Sequence, residues 1–216
     1  MSKSQFTLYS TVVGPNVGCS MDANATVEEK LTQKQLEEQK APEFTKLNPN
    51  GRIPAIIDHS NNDFVLWESN AIIEYILAKY DTEHKLSYSD FNSQQYLRQW
   101  LYFQASGQGP YYGQAVWFIK VQGGKPEECV ERYQAETRRV LQVLNGVLAE
   151  REWLVGDHIS AADVAFLQWN TSADRIILGP EYIDKEAPHV RRWMNAMIAR
   201  PGIKKVLDER VQKLSG

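Results

Sequence analysis

Cysteine is scarce in this chain of 216 residues, which contains only Cys19 and Cys129. The two lie far apart and stand in no C-x-x-C or other metal-binding spacing, so a disulfide framework is excluded. The four histidines occur singly, and no two have the four-residue spacing that would aim two imidazoles at one metal. We therefore expect no metal ion.

An excess of positive charge is also missing. The chain has 24 Lys and Arg against 27 Asp and Glu, a net charge of −3, and so lacks the positive field that a phosphate backbone requires. No apolar run approaches the length that spans a bilayer, and Met1–Gln5 is too polar for a secretory signal. We expect a cytoplasmic protein with neither nucleic acid nor membrane as partner. The hydrophobic content of 43% is enough for one large domain or two small ones.

The front of the chain predicts a small α/β unit. Phe6–Ser10 is a β-prone run, and two more, Ile53–Asp58 and Phe64–Trp67, flank the polar turn Ser60–Asp63, which indicates an antiparallel hairpin. Apolar residues at helical spacing over Ser69–Tyr80 predict an amphipathic helix that covers the hairpin.

The rest of the chain predicts helices. Residues 81–90 are polar and without periodicity, which is typical of a linker. Long helices are expected around 96–103 and 133–148, and a later helix around 190–197 should end before Pro201. The predicted fold is thus an α/β domain over residues 1–80, a linker, and an all-α domain over residues 91–216.

Two short segments on either side of the hairpin carry the chemistry. Pro54 removes a donor at the mouth of a strand and, when its peptide bond is cis, leaves the backbone of Ile53 free to pair with an extended peptide. Glu68 and Ser69 open a helix, where backbone N–H groups and a hydroxyl can hold a carboxylate while Glu68 pairs with an ammonium. Together they suit an amino-acid zwitterion. Taken singly, Ser69 is an ordinary helix cap and Pro54 a strand edge.

A further motif lies in the back half. Ser160 and Asp163 form an S-x-x-D capping box preceded by Ile159 as a hydrophobic staple. Its expected role is in folding, since a cap satisfies the free donors at a helix start.

These motifs resemble the cytosolic glutathione transferase family. The Ile-Pro strand entry and the Glu-Ser helix start are similar to its glutathione site, and the capping box is similar to one in its helical domain. The resemblance implies a thioredoxin-like domain followed by an all-α helical bundle, with glutathione as co-substrate. Further segments resemble the group that contains the yeast nitrogen-regulator prion protein and bacterial disulfide-reducing transferases: Asn48–Arg52, Gln104–Pro110, Gly113-Gln114 and Glu131–Tyr133.

The same resemblance implies further site residues. Asn16, after Gly14-Pro15, takes the place of the residue beside the glutathione sulfur, where a donated hydrogen bond favours the thiolate. As alternatives, Asn16 is a plain helix cap, and the hydroxyls of Ser10 or Thr11 take its place. Gln39 is placed at the glycyl end of glutathione and Arg52 near the same tripeptide.

Two implied features concern the helical half. The resemblance implies a homodimer in which Arg132 reaches the neighbouring subunit's glutathione, although a lone basic residue on a helix is usually a solvated surface group. A hydrophobic second substrate would need an apolar pocket, for which the candidates are aromatic residues that equally suit a core: Tyr111, Tyr112, Trp117 and Phe118.

Residues 17–39 depart from the family pattern of a helix and a second strand. Val27 and Leu31 give one thin helical stripe in an otherwise charged segment. Cys19 falls here without an activating neighbour. Two hypotheses remain: an enzyme whose bound glutathione thiolate attacks an electrophile, a disulfide or a peroxide, or a non-catalytic binding or regulatory protein with a defective first helix.

Overall fold

A computed structural model describes residues 4–10, 27–31 and 38–215. The chain divides into two compact units, one formed by Met1–Glu83 together with Gly202–Gly216 and the other by His84–Pro201. The expected combination of an α/β part and an all-helical part is therefore confirmed. The domain limits expected from the sequence remain predictions.

The first unit contains a mixed sheet of four strands in the order β2-β1-β3-β4. The strands are β1 Phe6–Ser10, β2 Val27–Leu31, β3 Ala55–Asp58 and β4 Phe64–Trp67. β1 runs parallel to β2 and antiparallel to β3, which forms the expected hairpin with β4. A short 3-10 turn and the left-handed residue Asn62 connect the hairpin strands.

The prediction of a helical stripe at Val27 and Leu31 is wrong. These residues begin and end β2, and they pair with Phe6 and Ser10 of β1. A spacing of four residues suits one face of a strand as well as one face of a helix, and pairing with a strand some twenty residues earlier decides between them. Residues 11–26 and 32–37, which include Thr11 and Cys19, lie outside the described part of the chain.

The core of the first unit lies between the sheet and helix α2. A short helix α1, Pro42–Thr45, precedes β3, and α2 covers Ser69–Tyr80, as predicted. Ile56 of β3 packs with Ile72 and Ile76 of α2. These contacts hold α2 against the sheet, and its first residue lies at the end of β4 because α2 begins two residues after that strand.

The regular structure of the second unit is helical. Its helices are α3 Phe91–Phe103, α4 Gly109–Val116, α5 Glu127–Leu148, α6 Ala161–Ser172, α7 Pro180–Glu186 and α8 Pro188–Ile198. Three π-helical segments, at Gln104–Gln108, Trp117–Val121 and Ala173–Ile177, continue α3, α4 and α6. The expected helices around 96–103, 133–148 and 190–197 are confirmed within α3, α5 and α8. A last helix, α9 Pro201–Ser215, falls almost wholly in the first unit.

The capping box at the start of α6 is also confirmed. The carboxylate of Asp163 accepts hydrogen bonds from the backbone N–H and the hydroxyl of Ser160, both at 2.8 Å. Its other oxygen accepts from the indole N–H of Trp193 and the backbone N–H of Leu154, each at 2.9 Å. The box therefore ties α6 to α8 within the helical unit, which is the folding role expected for it.

Candidate functional site

The register of the sheet brings the two chemistry-bearing segments to one end of it. Ala55, the first residue of β3, pairs with Tyr9 on one side and with Trp67, the last residue of β4, on the other. The residues just before Ala55 and just after Trp67 therefore lie next to each other, since neighbouring strands are about 4.8 Å apart. This end of the sheet, with Ile53, Pro54, Glu68 and Ser69, is called the binding end below.

Ile53 lies outside the ladder of the sheet. The first paired residue of β3 is Ala55, two positions later, and the peptide bond between Ile53 and Pro54 is cis. The backbone of Ile53 thus precedes β3 without being one of its paired residues. A segment of this kind can form main-chain hydrogen bonds with an extended peptide ligand.

Glu68 adopts a backbone conformation that is costly for its residue type. Its φ angle is 75°, a value that L-residues other than Asn and Asp rarely adopt and that costs about 1–3 kcal/mol. Glu68 is the N-cap residue of α2, but its side chain makes no capping hydrogen bond. Strain of this size at the start of a helix indicates that the position of Glu68 serves something other than stability.

Ser69 is the first residue of α2 and not its cap. Among the described residues, no partner hydrogen-bonds to the side chain of Ser69 or Glu68, and the carboxylate of Glu68 is exposed. The explanation of Ser69 as an ordinary cap is therefore not supported. The hydroxyl, the first backbone N–H groups of α2 and the carboxylate of Glu68 are positioned to receive a carboxylate and an ammonium together.

The loop before Ile53 brings two further predicted residues together. Gly51 is buried with a φ angle of 59°, and a Cβ atom there would lie 2.9 Å from the carbonyl oxygen of Gln39. The ammonium of Lys40 donates to the carbonyl of Asn50 at 3.1 Å. Gln39, in the 3-10 turn Glu38–Lys40, is therefore held beside the loop that carries Arg52.

The side chains of Arg52 on this loop and of Gln39 in the 3-10 turn are available to a ligand. Arg52 is exposed and Gln39 half-buried, and neither side chain hydrogen-bonds to another residue in the part of the chain that the structure describes. Arg52 and Lys40 provide two cations near the binding end. Asn48, for which no role was predicted, donates a hydrogen bond across the loop to the carbonyl of Arg52. Its position directly before the turn-forming residues Pro49-Asn50-Gly51 is typical of an asparagine that stabilises a loop.

The other predicted residues fall in different places. Arg132 is exposed on α5 in the helical unit, so its proposed part in a neighbouring subunit's site stays a prediction. Asn16 lies outside the described residues. Ser10 is fully buried at the end of β1.

The aromatic candidates for an acceptor pocket separate into two kinds. Tyr112 is fully buried, and its hydroxyl donates to the carbonyl of Thr137 at 3.3 Å, so it belongs to the core. Phe118 stacks on Tyr133 with ring centroids 5.7 Å apart. Tyr111 is half-buried, and Trp117 is 48% exposed. Of the four candidates, Tyr112 is thus unsuited to contact a substrate.

A second polar cluster lies at the opposite end of the sheet, where β3 stops. Fully buried Asp58 accepts hydrogen bonds from the hydroxyls of Tyr75, at 2.6 Å, and Tyr80. It also accepts from the hydroxyl of Ser60 at 2.7 Å and the ammonium of Lys79 at 3.1 Å. Burial alone would raise the pKa of Asp58, but these hydrogen bonds outweigh it and hold the pKa well below its ordinary value of 3.8.

This group, called the Asp58 cluster, was not found from the sequence. Its donors come from residues up to 22 positions away, and no local pattern marks them. Because the carboxylate and its donors are paired with one another, we infer that the cluster is structural and holds α2 to the end of β3.

Two negative findings apply to the described part of the chain. Within residues 4–10, 27–31 and 38–215, no group of three His, Cys, Asp or Glu side chains could hold a metal ion. In the same residues, no helix is both long and apolar enough to cross a bilayer.

Family models match most of the chain. The N-terminal domain of glutathione S-transferase matches residues 4–78, and its C-terminal domain matches residues 110–201. A glutathione S-transferase-like protein of Aspergillus terreus, gedE, is 46% identical over 81% of both chains. Glutathione S-transferase 1 of Schizosaccharomyces pombe is 38% identical, covering 98% of this chain and 99% of its own.

Solved structures agree with this similarity. The glutathione transferase URE2P6 of Phanerochaete chrysosporium, in complex with oxidized glutathione, has a TM-score of 0.93 and 45% identity over 97% of each chain. Ure2p5 of the same organism, cocrystallized with 1-(S-glutathionyl)-2,4-dinitrobenzene, has a TM-score of 0.88 and 41% identity, covering 100% of this chain and 98% of its own. The transcriptional regulator URE2 of Saccharomyces cerevisiae is 37% identical over 80% of this chain, which is 58% of the regulator.

Proposed function

The chain belongs to the glutathione S-transferase family, and we propose that it binds glutathione at the binding end and uses the bound thiolate as a nucleophile. The observation that carries this proposal is a set of polar side chains there without a partner among the described residues, on two segments that the register of the sheet places side by side. Polar or strained groups without partners are typical of sites that receive a ligand.

The chemistry of the tripeptide matches the order of groups along this end of the sheet. The γ-glutamyl end carries a carboxylate for Ser69 and the start of α2, and an ammonium for Glu68. The backbone of Ile53 pairs with the cysteinyl residue in the middle. The glycyl carboxylate is received by Arg52 and Gln39, where positive charge is concentrated.

The reactive step requires a thiolate. A hydrogen bond donated to the sulfur favours the thiolate over the thiol, and Asn16 is the residue proposed to donate it. The thiolate attacks an electrophilic carbon and expels its leaving group, attacks one sulfur of a disulfide and releases the other as a thiolate, or attacks the terminal oxygen of a hydroperoxide, which breaks the O–O bond and gives a sulfenic acid and an alkoxide. Holding the two reactants together supplies much of the rate. The oxidized glutathione and the S-glutathionyl conjugate bound by the similar structures support disulfide and carbon acceptors.

A non-catalytic role is the second candidate. The observation in its favour is the 37% identity to a transcriptional regulator. In that case the binding end holds glutathione as a regulatory ligand and no turnover follows. A homodimer, with Arg132 near the partner's glutathione, is proposed in either case.

The test is binding to immobilised glutathione and elution with the free tripeptide. We expect retention by the wild type and its loss in a variant with Asn16→Ala and Ser69→Ala. A matched control carries Asn92→Ala and Ser106→Ala, two exposed positions in the helical unit, and should be retained. Failure of the folded wild type to bind would refute the proposal.

Turnover separates the two candidates. Assays with an electrophilic aromatic halide, a glutathione mixed disulfide and an organic peroxide would identify the enzyme by its acceptor. Binding without turnover of any of the three would favour the regulatory role.

A further inference from the structure

Asn48 makes four hydrogen bonds with its near neighbours in the chain. Its side-chain Nδ2 donates to the carbonyl of Arg52 at 2.5 Å, and its Oδ1 accepts from the backbone N–H of Asn50 at 2.9 Å. Its own carbonyl accepts from the N–H of Gly51 at 2.9 Å, and its N–H donates to the carbonyl of Phe44 at 2.9 Å. With only 2% of its surface exposed, Asn48 cannot reach a ligand itself.

The bonds of Asn48 fix the loop at both of its ends. Phe44, in α1, is buried, so Asn48 is tied to the packed part of the unit on one side. On the other side the bond to the Arg52 carbonyl sets the peptide plane between Arg52 and Ile53. The direction of the Ile53 backbone N–H follows from that plane, and the plane also holds the Cα atom from which the Arg52 side chain extends.

The same geometry sets the distance to the 3-10 turn. Gly51, whose N–H is held by Asn48, packs against the carbonyl of Gln39 so closely that a Cβ atom would not fit without movement. Asn48 therefore aligns the two sides of the glycyl end of the site, one carrying Gln39 and the other Arg52.

We propose that Asn48 is a positioning residue for glutathione: it holds the loop of residues 50–53 in the shape in which Arg52 and the backbone of Ile53 meet the tripeptide. This inference rests on the proposed function. Without Asn48 the loop samples other shapes, and ordering it again on binding costs affinity.

The test compares glutathione affinity, measured by calorimetry, in two variants. Asn48→Asp keeps the shape and the acceptor but replaces the donor to Arg52, and Asn48→Ala removes both. We expect glutathione to bind about tenfold more weakly to Asn48→Asp, as for one lost hydrogen bond, and at least about tenfold more weakly to Asn48→Ala, which loses two. Asn50→Ala is the matched control because only the backbone of Asn50 takes part in the loop, and its affinity should not change.

Two further measurements distinguish positioning from a general loss of stability. Ile76→Val destabilises the core of the same unit and should leave the affinity of the folded fraction unchanged. In double variants, the loss from Asn48→Asp should be smaller in a protein that already carries Arg52→Ala, because Asn48 acts in part through Arg52 and in part through the backbone of Ile53. It should add to the loss from Ser69→Ala, at the other end of the ligand.

The results distinguish a failure of the role proposed for Asn48 from a failure of glutathione binding itself. If the wild type binds glutathione and the Asn48 variants bind it equally well, or lose no more affinity than Ile76→Val does, the inference is wrong. Full additivity with Arg52→Ala contradicts it as well. If the wild type itself does not bind, the proposed function fails first.

Discussion

The two ends of the sheet are formed by the same strand and helix, but they differ in how their polar side chains are paired. β3 and α2 both begin at the binding end, and both stop at the Asp58 cluster. At the binding end Glu68 is strained and its side chain has no partner among the described residues, whereas at the cluster a buried carboxylate accepts hydrogen bonds from four side chains. One end thus contributes to the stability of the unit, whereas the other, where we propose that glutathione binds, carries strain that lowers stability.

The largest expected effect is at the Asp58 cluster. Asp58→Ala leaves the hydroxyls of Tyr75 and Tyr80 and the ammonium of Lys79 without their common acceptor, and should lower the free energy of unfolding by about 3–5 kcal/mol. Urea unfolding measures this. Asp208→Ala removes an exposed pair with Lys204 and should change stability by less than about 1 kcal/mol. If the two changes lowered stability equally, the burial of Asp58 would not make its interactions more stabilising than those of an exposed pair.

At the binding end the expected loss is in affinity and not in stability. Glu68→Ala or Ser69→Ala removes a proposed partner of a charged group of glutathione, which should weaken binding roughly 10–100-fold. Calorimetry at constant pH measures the affinity, and Ser106→Ala is the control. A loss of stability as large as that expected for Asp58→Ala would show that the two ends do not differ in their contribution to stability.

The strain at Glu68 predicts that one substitution at the binding end increases the stability of the protein. Glu68→Gly relieves the positive φ angle and should raise the free energy of unfolding by about 1 kcal/mol while weakening glutathione binding. Asn62→Gly is the matched control, since Asn62 has a φ of 53° but asparagine tolerates that region, so the gain should be smaller. A destabilised Glu68→Gly protein would show that the conformation of Glu68 is not strained.

The smallest expected effect is the dependence of stability on pH. The pKa of Asp58 lies below its ordinary value of 3.8 in the folded state, so its contribution to stability is fully present above that value and is lost as the pH falls further. The stability difference between the wild type and Asp58→Asn should therefore narrow by about 1 kcal/mol between about pH 6 and about pH 3. Unfolding curves at both values measure it. A constant difference would show that the charge of Asp58 does not matter.

Local patterns predicted much of the fold. The limits of β1, β4 and α2 and the capping box at Ser160 and Asp163 depend on neighbours a few residues away, and the sequence contains those neighbours in order. β2 was predicted wrongly because Val27 and Leu31 suit either period, and only its pairing with β1 decides.

The same distinction applies to the site. The Ile53-Pro54 and Glu68-Ser69 segments could be found because each is a short motif, although their adjacency depends on the register of the hairpin. The Asp58 cluster could not be found, since its partners Tyr75, Lys79 and Tyr80 lie a full strand and helix away. The role of Asn48 needed the direction of one side chain, which no spacing supplies.

The order of the two units along the chain determines which fragments can be expressed separately or released by proteolysis. Because residues 202–216 group with residues 1–83, the helical unit is inserted, in chain order, between two portions of the first. A fragment ending near Glu83 would lack α9, and a single proteolytic cut would not release the first unit whole. Expressing that unit alone therefore requires a linker that joins Glu83 to Gly202, whereas the helical unit can be cloned as one uninterrupted stretch.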